Sequence, residues 1–160
     1  MDDDFLLEED TQKGKFMTFI CGEEYYGIEI RYVQEIICMQ KITEVPETPP
    51  YVKGLINLRG KIHPVIDVRI RFHKEPREYN DRTCIIVTEV DKIVVGLIVD
   101  TIAGVVDIKE EDICPSVSIG KDSTSFIYGI GKIGEEVKLL IDPKKLLSED
   151  VAEQLGNIAQ

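Results

Sequence analysis

The residues most able to do chemistry are a glycine run, two aspartates, two histidines and a long, lone arginine on a tight turn. Gly129-Ile-Gly131-Lys-Ile-Gly134 is formally GxGxxG, the dinucleotide fingerprint. That chemistry needs the glycines between a strand and the N-terminus of a helix, whose amides hold a pyrophosphate. Here the next segment is Glu-Glu-Val-Lys-Leu-Leu-Ile-Asp, which reads as another strand and begins with two carboxylates that repel phosphate. A hairpin with glycine in its turn is the better reading, and a nucleotide-binding enzyme built on Gly129–Gly134 is carried only as an alternative. Asp67 and Asp142 each end an apolar strand-like run, and Asp142 precedes Pro143, the order of an N-cap and first helical residue. Caps are expected, not catalytic carboxylates. His63 lies in a strand-like run with no second His, Cys or carboxylate at metal spacing beside it, His73 lies in a linker-like stretch, and neither has a nucleophile motif. No EF-hand pattern occurs among the many acids. Neither a metal nor a cofactor is expected.

The elements that must position these residues are short. The 160 residues carry 43% hydrophobic and 31% charged side chains, a globular composition. A net charge of −11 disfavours nucleic acid and anionic membranes as partners. Cys21, Cys38, Cys84 and Cys114 are widely spaced, and three lie in apolar runs, so reduced thiols in a cytoplasmic protein are expected. Residues 1–14 read as an acidic arm with no signal-peptide pattern. From Lys15 onward, short apolar runs alternate with turn residues: Phe16–Cys21, Tyr26–Ile30, a third beginning near Val33, Gly54–Leu58 and Lys61–Val68. After a polar linker from His73 to Asp81 come Cys84–Glu89, Lys92–Val99, Gly104–Ile108, Phe126–Ile133 and Val137–Ile141. A loop from Pro115 to Ser125 holds Ser123, Thr124 and Ser125. Leu147, Val151, Leu155 and Ile158 recur at helical spacing behind Ser148, predicting a short C-terminal helix over 148–160.

The chain repeats itself. Tyr51–Asp67 matches Phe126–Asp142 at one constant separation: Gly54 meets Gly129, Leu55 Ile130, Leu58 Ile133, Ile62 Val137, and Ile66 Ile141. At a second, shorter separation Gly27 meets Gly96, Ile28 Leu97, Ile30 Val99, Val33 Ile102 and Ile36 Val105. Two runs in the same order imply an internal duplication, and therefore an all-β fold of two five-stranded barrels, each closing its own edges. The expected subdomains are about 15–75 and 82–143. Asn57-Leu58-Arg59-Gly60 breaks the repeat, because Gly134 stands where Arg59 would recur. A cation with five donors on a tight turn is suited to meeting a partner's carboxylates or carbonyls.

Val52–Phe72 (VKGLINLRGKIHPVIDVRIRF), Val33–Ile36 (VQEI) and Gly96–Ile108 (GLIVDTIAGVVDI) resemble CheW-like domains, over about Lys15 to Leu147. The resemblance implies two SH3-like barrels packed about a common hydrophobic centre, without catalysis. It implies an adaptor in bacterial chemotaxis that couples the signalling tips of methyl-accepting chemoreceptors to the regulatory domain of the histidine kinase CheA. Such an adaptor would be cytoplasmic and recruited to membrane-associated receptor arrays. A CheW-like adaptor in a non-chemotaxis kinase pathway is the variant of this reading. By motif match, the receptor side would comprise Val33, Glu35, Ile36 and Arg59, with Leu97, Val99 and Ile102 lining a groove. The CheA side would comprise Ile42, Thr43, Val45, Ile56 and Asn57.

Overall fold

The computed structural model describes residues 13–115 and 126–146. The expected C-terminal helix, Ser123–Ser125 and nearly all of the acidic arm lie outside the described residues. The strands are β1 Lys15–Cys21, β2 Glu24–Glu29, β3 Val33–Cys38, β4 Val52–Leu58, β5 Lys61–Asp67, β6 Cys84–Val90, β7 Ile93–Val99, β8 Thr101–Asp107, β9 Ile113–Pro115, β10 Ile127–Ile133 and β11 Glu136–Ile141. Two single-turn helices follow the expected caps: α1 Val68–Arg71 and α2 Pro143–Leu146. The Ile70 N–H donates to Asp67 Oδ1 at 3.3 Å and the Lys144 N–H to Asp142 Oδ1 at 3.0 Å. Asp67 takes a further hydrogen bond from the Tyr79 hydroxyl at 2.7 Å. Both aspartates are structural.

Two sheets result, in the orders β8-β1-β2-β11-β10-β9 and β3-β6-β7-β5-β4. They confirm the duplication and correct one expectation drawn from it. The repeat equates β1 with β6, β2 with β7, β3 with β8, β4 with β10 and β5 with β11. With those equivalences the two sheets have the same strand order, but each contains the other half's first hairpin. Neither half of the sequence closes its own barrel. The reason lies in the parallel pairings, where β5 takes β7 (Val65 opposite Gly96) and β11 takes β2 (Leu140 opposite Gly27). These are repeat-related pairs of positions, so each half makes the same choice to pair outward. Even the isolated Thr43–Leu55 bridge has its counterpart in Cys114 opposite Ile130.

Apolar burial then sorts into three centres. Ile56, Val65, Ile85, Val87 and Ile98 fill the five-stranded sheet, with Ile37 from β3 completing a core fed by every strand. Phe16, Ile108 and Leu140 fill the other. The largest centre takes Met17, Phe19, Tyr26 and Ile28 from one sheet and Ile66, Ile86, Val95, Leu97 and Val99 from the other. This is the common hydrophobic centre. Tyr26, Phe72 and Phe126 stack through it with ring centroids 4.7 Å apart at each step. Arg71 lies over both Tyr51 and Phe126, the repeat-related aromatics, at 5.2 and 5.1 Å from their ring centres. At such distances a guanidinium is attracted by the ring quadrupole. Asp100, where the chain passes from one sheet to the other, accepts from the Gly22 N–H at 2.8 Å and pairs with Arg69 at 2.7 Å. One carboxylate thus ties the exchanged β1–β2 turn to α1.

Candidate functional site

The hairpin β4–β5 turns through two residues, Arg59 at φ 54° and Gly60 at φ 84°. Both values belong to the turn whose twist suits a hairpin, which favours Gly, having no Cβ, or Asn and Asp, whose short polar side chains hydrogen-bond locally. The Asn57 side chain steadies it, its Oδ1 accepting the Gly60 N–H at 3.0 Å. Arg59 is therefore held against its backbone preference, where the second half has Gly134 at φ 61°. Its Nη1 donates to Glu35 Oε2 at 2.9 Å, and that hydrogen bond helps keep the guanidinium charged. The second carboxylate oxygen, Glu35 Oε1, is buried without a hydrogen-bond partner. Arg59 itself projects into solvent.

Glu35 lies on β3, an edge strand whose residues alternate half-buried and exposed. Ile36 is exposed, while Val33 and Ile102 are half-buried against the central core. These four residues and Arg59 have surface to offer. Leu97 and Val99 do not: they are 2% and 1% exposed, in the central core. Strand β7 lies inside its sheet and is covered on both faces, so neither side chain lines a groove. On the other surface Ile42 and Val45 are half-buried, and Thr43 is exposed with its backbone joined to Leu55 by hydrogen bonds of 2.9 and 2.8 Å. Asn57 is exposed. Ile56, 1% exposed, is a core residue of the five-stranded barrel and cannot contact a partner directly. The two sets of expected contact residues meet at the β4–β5 turn, where Asn57 and Arg59 are two residues apart.

Ile62 is an exposed apolar residue that no sequence motif singles out. It stands opposite Asn57 in the hairpin and is 41% exposed, and its repeat partner Val137 is 50% exposed. An apolar residue repeated at the hairpin end was the available signal. The GxGxxG segment is β10 and its turn into β11, with Ile133 opposite Glu136 and no helix following. A Cβ on Gly131 would lie 2.8 Å from Ile108 Cδ1, so that glycine serves packing and not phosphate. His63 is half-buried, and burial beside Lys61 pushes its pKa down. Among the described residues no three His, Cys, Asp or Glu side chains gather as a metal site, and no helix is long and apolar enough to cross a membrane.

The geometry defines a class: a duplicated, hairpin-exchanged pair of β-barrels with a strained cationic turn and an edge strand at its surface. Residues 15–151 match the family model of the CheW-like domain. The chain belongs to the CheW-like domain family. It is 36% identical to the chemotaxis protein CheW of Klebsiella aerogenes over 155 residues, covering 96% of this chain and 93% of that one. With the chemotaxis protein CheW of Helicobacter pylori it shares 32% identity, over 89% and 87% of the two chains. The crystal structure of the scaffolding protein TtCheW from Thermoanaerobacter tengcongensis superposes with a TM-score of 0.78 at 37% identity, covering 84% of this chain and 88% of that one.

Proposed function

We propose that this chain is a non-catalytic scaffold of chemotaxis signalling, coupling the helical signalling tip of methyl-accepting chemoreceptors to the regulatory domain of the histidine kinase CheA. The observation that carries the reading is Arg59. The fold would be better served by glycine at this turn, as in its second copy, yet an arginine is kept there and oriented by Glu35. Strain kept at a turn whose second copy avoids it supports a function for the side chain.

The receptor surface comprises Val33, Glu35, Ile36, Arg59 and Ile102. Ile36 and its half-buried neighbours receive the apolar stripe of a receptor helix, while Arg59 and Glu35 set its register and reject wrong partners. The CheA surface comprises Ile42, Thr43, Val45 and Asn57, extended by Ile62. Signalling follows from unequal binding to kinase states and requires no chemistry of the adaptor. Through its receptor contacts the chain is held at membrane-associated arrays. The test is reconstitution of CheA with a receptor signalling fragment, with kinase activity measured as this chain is titrated in. Activity that responds to the receptor only when the chain is present is expected. Receptor control that is equal with and without the chain would overturn the proposal.

A further inference from the structure

Cys38 and Cys84 are direct cross-strand partners, the last residue of β3 and the first of β6. Opposed residues of an antiparallel pair have Cα atoms about 4.5 or 5.5 Å apart, according to their hydrogen-bonding phase. Both spacings fall within the roughly 4.4–6.8 Å that a disulfide bridges. Neither thiol is sequestered, since Cys38 is exposed and Cys84 half-buried. In contrast, Cys21 is buried and Cys114 lies on β9 in the other sheet. We propose that Cys38 and Cys84 form a redox-active dithiol, an oxidative modification site that closes to an intramolecular disulfide on reaction with a low-molecular-weight disulfide of the glutathione class.

The two thiols take different parts. Burial and the neighbouring Cys38 raise the pKa of Cys84, whose Sγ–H donates to the Arg82 carbonyl at 3.2 Å. Cys38 is the accessible nucleophile. Its thiolate attacks one sulfur of the small disulfide, the S–S bond breaks, and one small thiol leaves with a proton. The Cys84 thiolate then attacks Cys38 Sγ, expelling the second small thiol. Two protein thiols are oxidised and one small disulfide is reduced to two thiols, so atoms and electrons balance. A bond formed across a strand pair at an accessible position is of the labile, regulatory kind and not of the permanent structural kind. Once formed it fastens edge strand β3, which carries Glu35 and Ile36, to the hairpin contributed by the other half of the sequence.

The experiment uses the full chain with Cys114→Ser, which removes the exposed thiol of the other sheet. The reduced protein is equilibrated with oxidised glutathione, remaining thiols are alkylated, and peptides are mapped by mass spectrometry without reduction. The expected result is a monomer in which Cys38 and Cys84 are lost from the alkylated pool together, joined to each other and recovered with dithiothreitol. Adding Cys84→Ser abolishes the intramolecular link and traps glutathione on Cys38. The proposal is overturned if both thiols remain alkylatable, if each carries its own glutathione with Cys84 intact, or if the link joins two molecules.

Discussion

Arg59 Nη1 and Glu35 Oε2 stand 2.9 Å apart although β3 and β4 are the opposite edges of their sheet. The contact exists because that sheet curls until its edges approach, with Ile37 of β3 and Ile56 of β4 sharing one core. Arg59 thus marks the seam of the barrel, with its guanidinium largely in solvent. Exposed ion pairs contribute little to stability, so the pair is not what holds the sheet closed.

Reversing Arg59 to glutamate places two carboxylates at the seam. Receptor-fragment affinity is expected to fall at least about tenfold, since a truncated or reversed anchor arginine commonly accounts for more than 1.4 kcal/mol of binding. Binding to the CheA regulatory domain and the circular dichroism spectrum should be unchanged. The companion Arg59→Gly removes the charge and relieves the positive φ, so its melting temperature is expected to equal or exceed that of the wild type while receptor binding is still lost. Calorimetry and a binding titration on the same samples check both.

Leu97→Ala and Ile36→Ala separate core from surface. The buried leucine should cost about 2–5 kcal/mol in chemical denaturation, through lost transfer free energy and the cavity left behind. Ile36→Ala, on the exposed face of β3, should cost less than about 1 kcal/mol and yet weaken receptor binding directly. If Ile36→Ala leaves the affinity unaltered, β3 is not part of the receptor surface.

Gly54 has φ 144°, and a Cβ there would lie 2.1 Å from the Thr43 carbonyl oxygen. Gly54→Ala is therefore expected to destabilise the fold by roughly 2–5 kcal/mol, combining backbone strain with overpacking. It should also release the Thr43–Leu55 bridge, faster amide exchange at Thr43 and Leu55 being the readout. CheA binding should weaken more than receptor binding, because the displaced segment carries Ile42, Thr43 and Val45.

Burial pushes the Cys21 thiol from 9.0 up to about 12. A raised folded-state pKa means that the folded form resists ionisation which the unfolded chain accepts. The stability tied to this thiol is therefore whole below about pH 9 and is lost progressively as pH rises toward 12. Urea denaturation of wild type and Cys21→Ala should show their gap narrowing from pH 8 to pH 10.5. At pH 8 Cys21 should also stay unalkylated in the folded protein, while Cys114 reacts.

Much of the fold was legible because the duplication repeats its signals. The cap aspartates, the apolar runs and the strand glycines (Gly27 with Gly96, Gly54 with Gly129) appear twice, so Asp67 and Asp142 could be read as structural. The exchange of hairpins was not legible. Residue equivalences are the same whether β1–β2 pairs with its own half or with the other, and only the parallel β5–β7 and β2–β11 contacts decide. The same blindness misplaced Leu97 and Val99. A run such as Ile-Val-Val-Gly-Leu-Ile-Val reads as apolar in either position, and its burial on both faces comes from neighbours distant in sequence. Arg59 was found because it broke the repeat. Its pairing with Glu35 was hidden by sheet curvature, which leaves no mark on residue spacing.

Because each sheet borrows the first hairpin of the opposite half, cutting the chain between Phe72 and Thr83 would not yield two domains. Each fragment would hold strands for two incomplete sheets and would need the other to bury its apolar faces. A half-length ancestor could have completed the same sheets only by trading hairpins with a second copy of itself, as an intertwined dimer. Fusing the two copies would make that dimer one polypeptide. Its two copies, freed from being identical, could keep glycine at one turn and acquire arginine at the other.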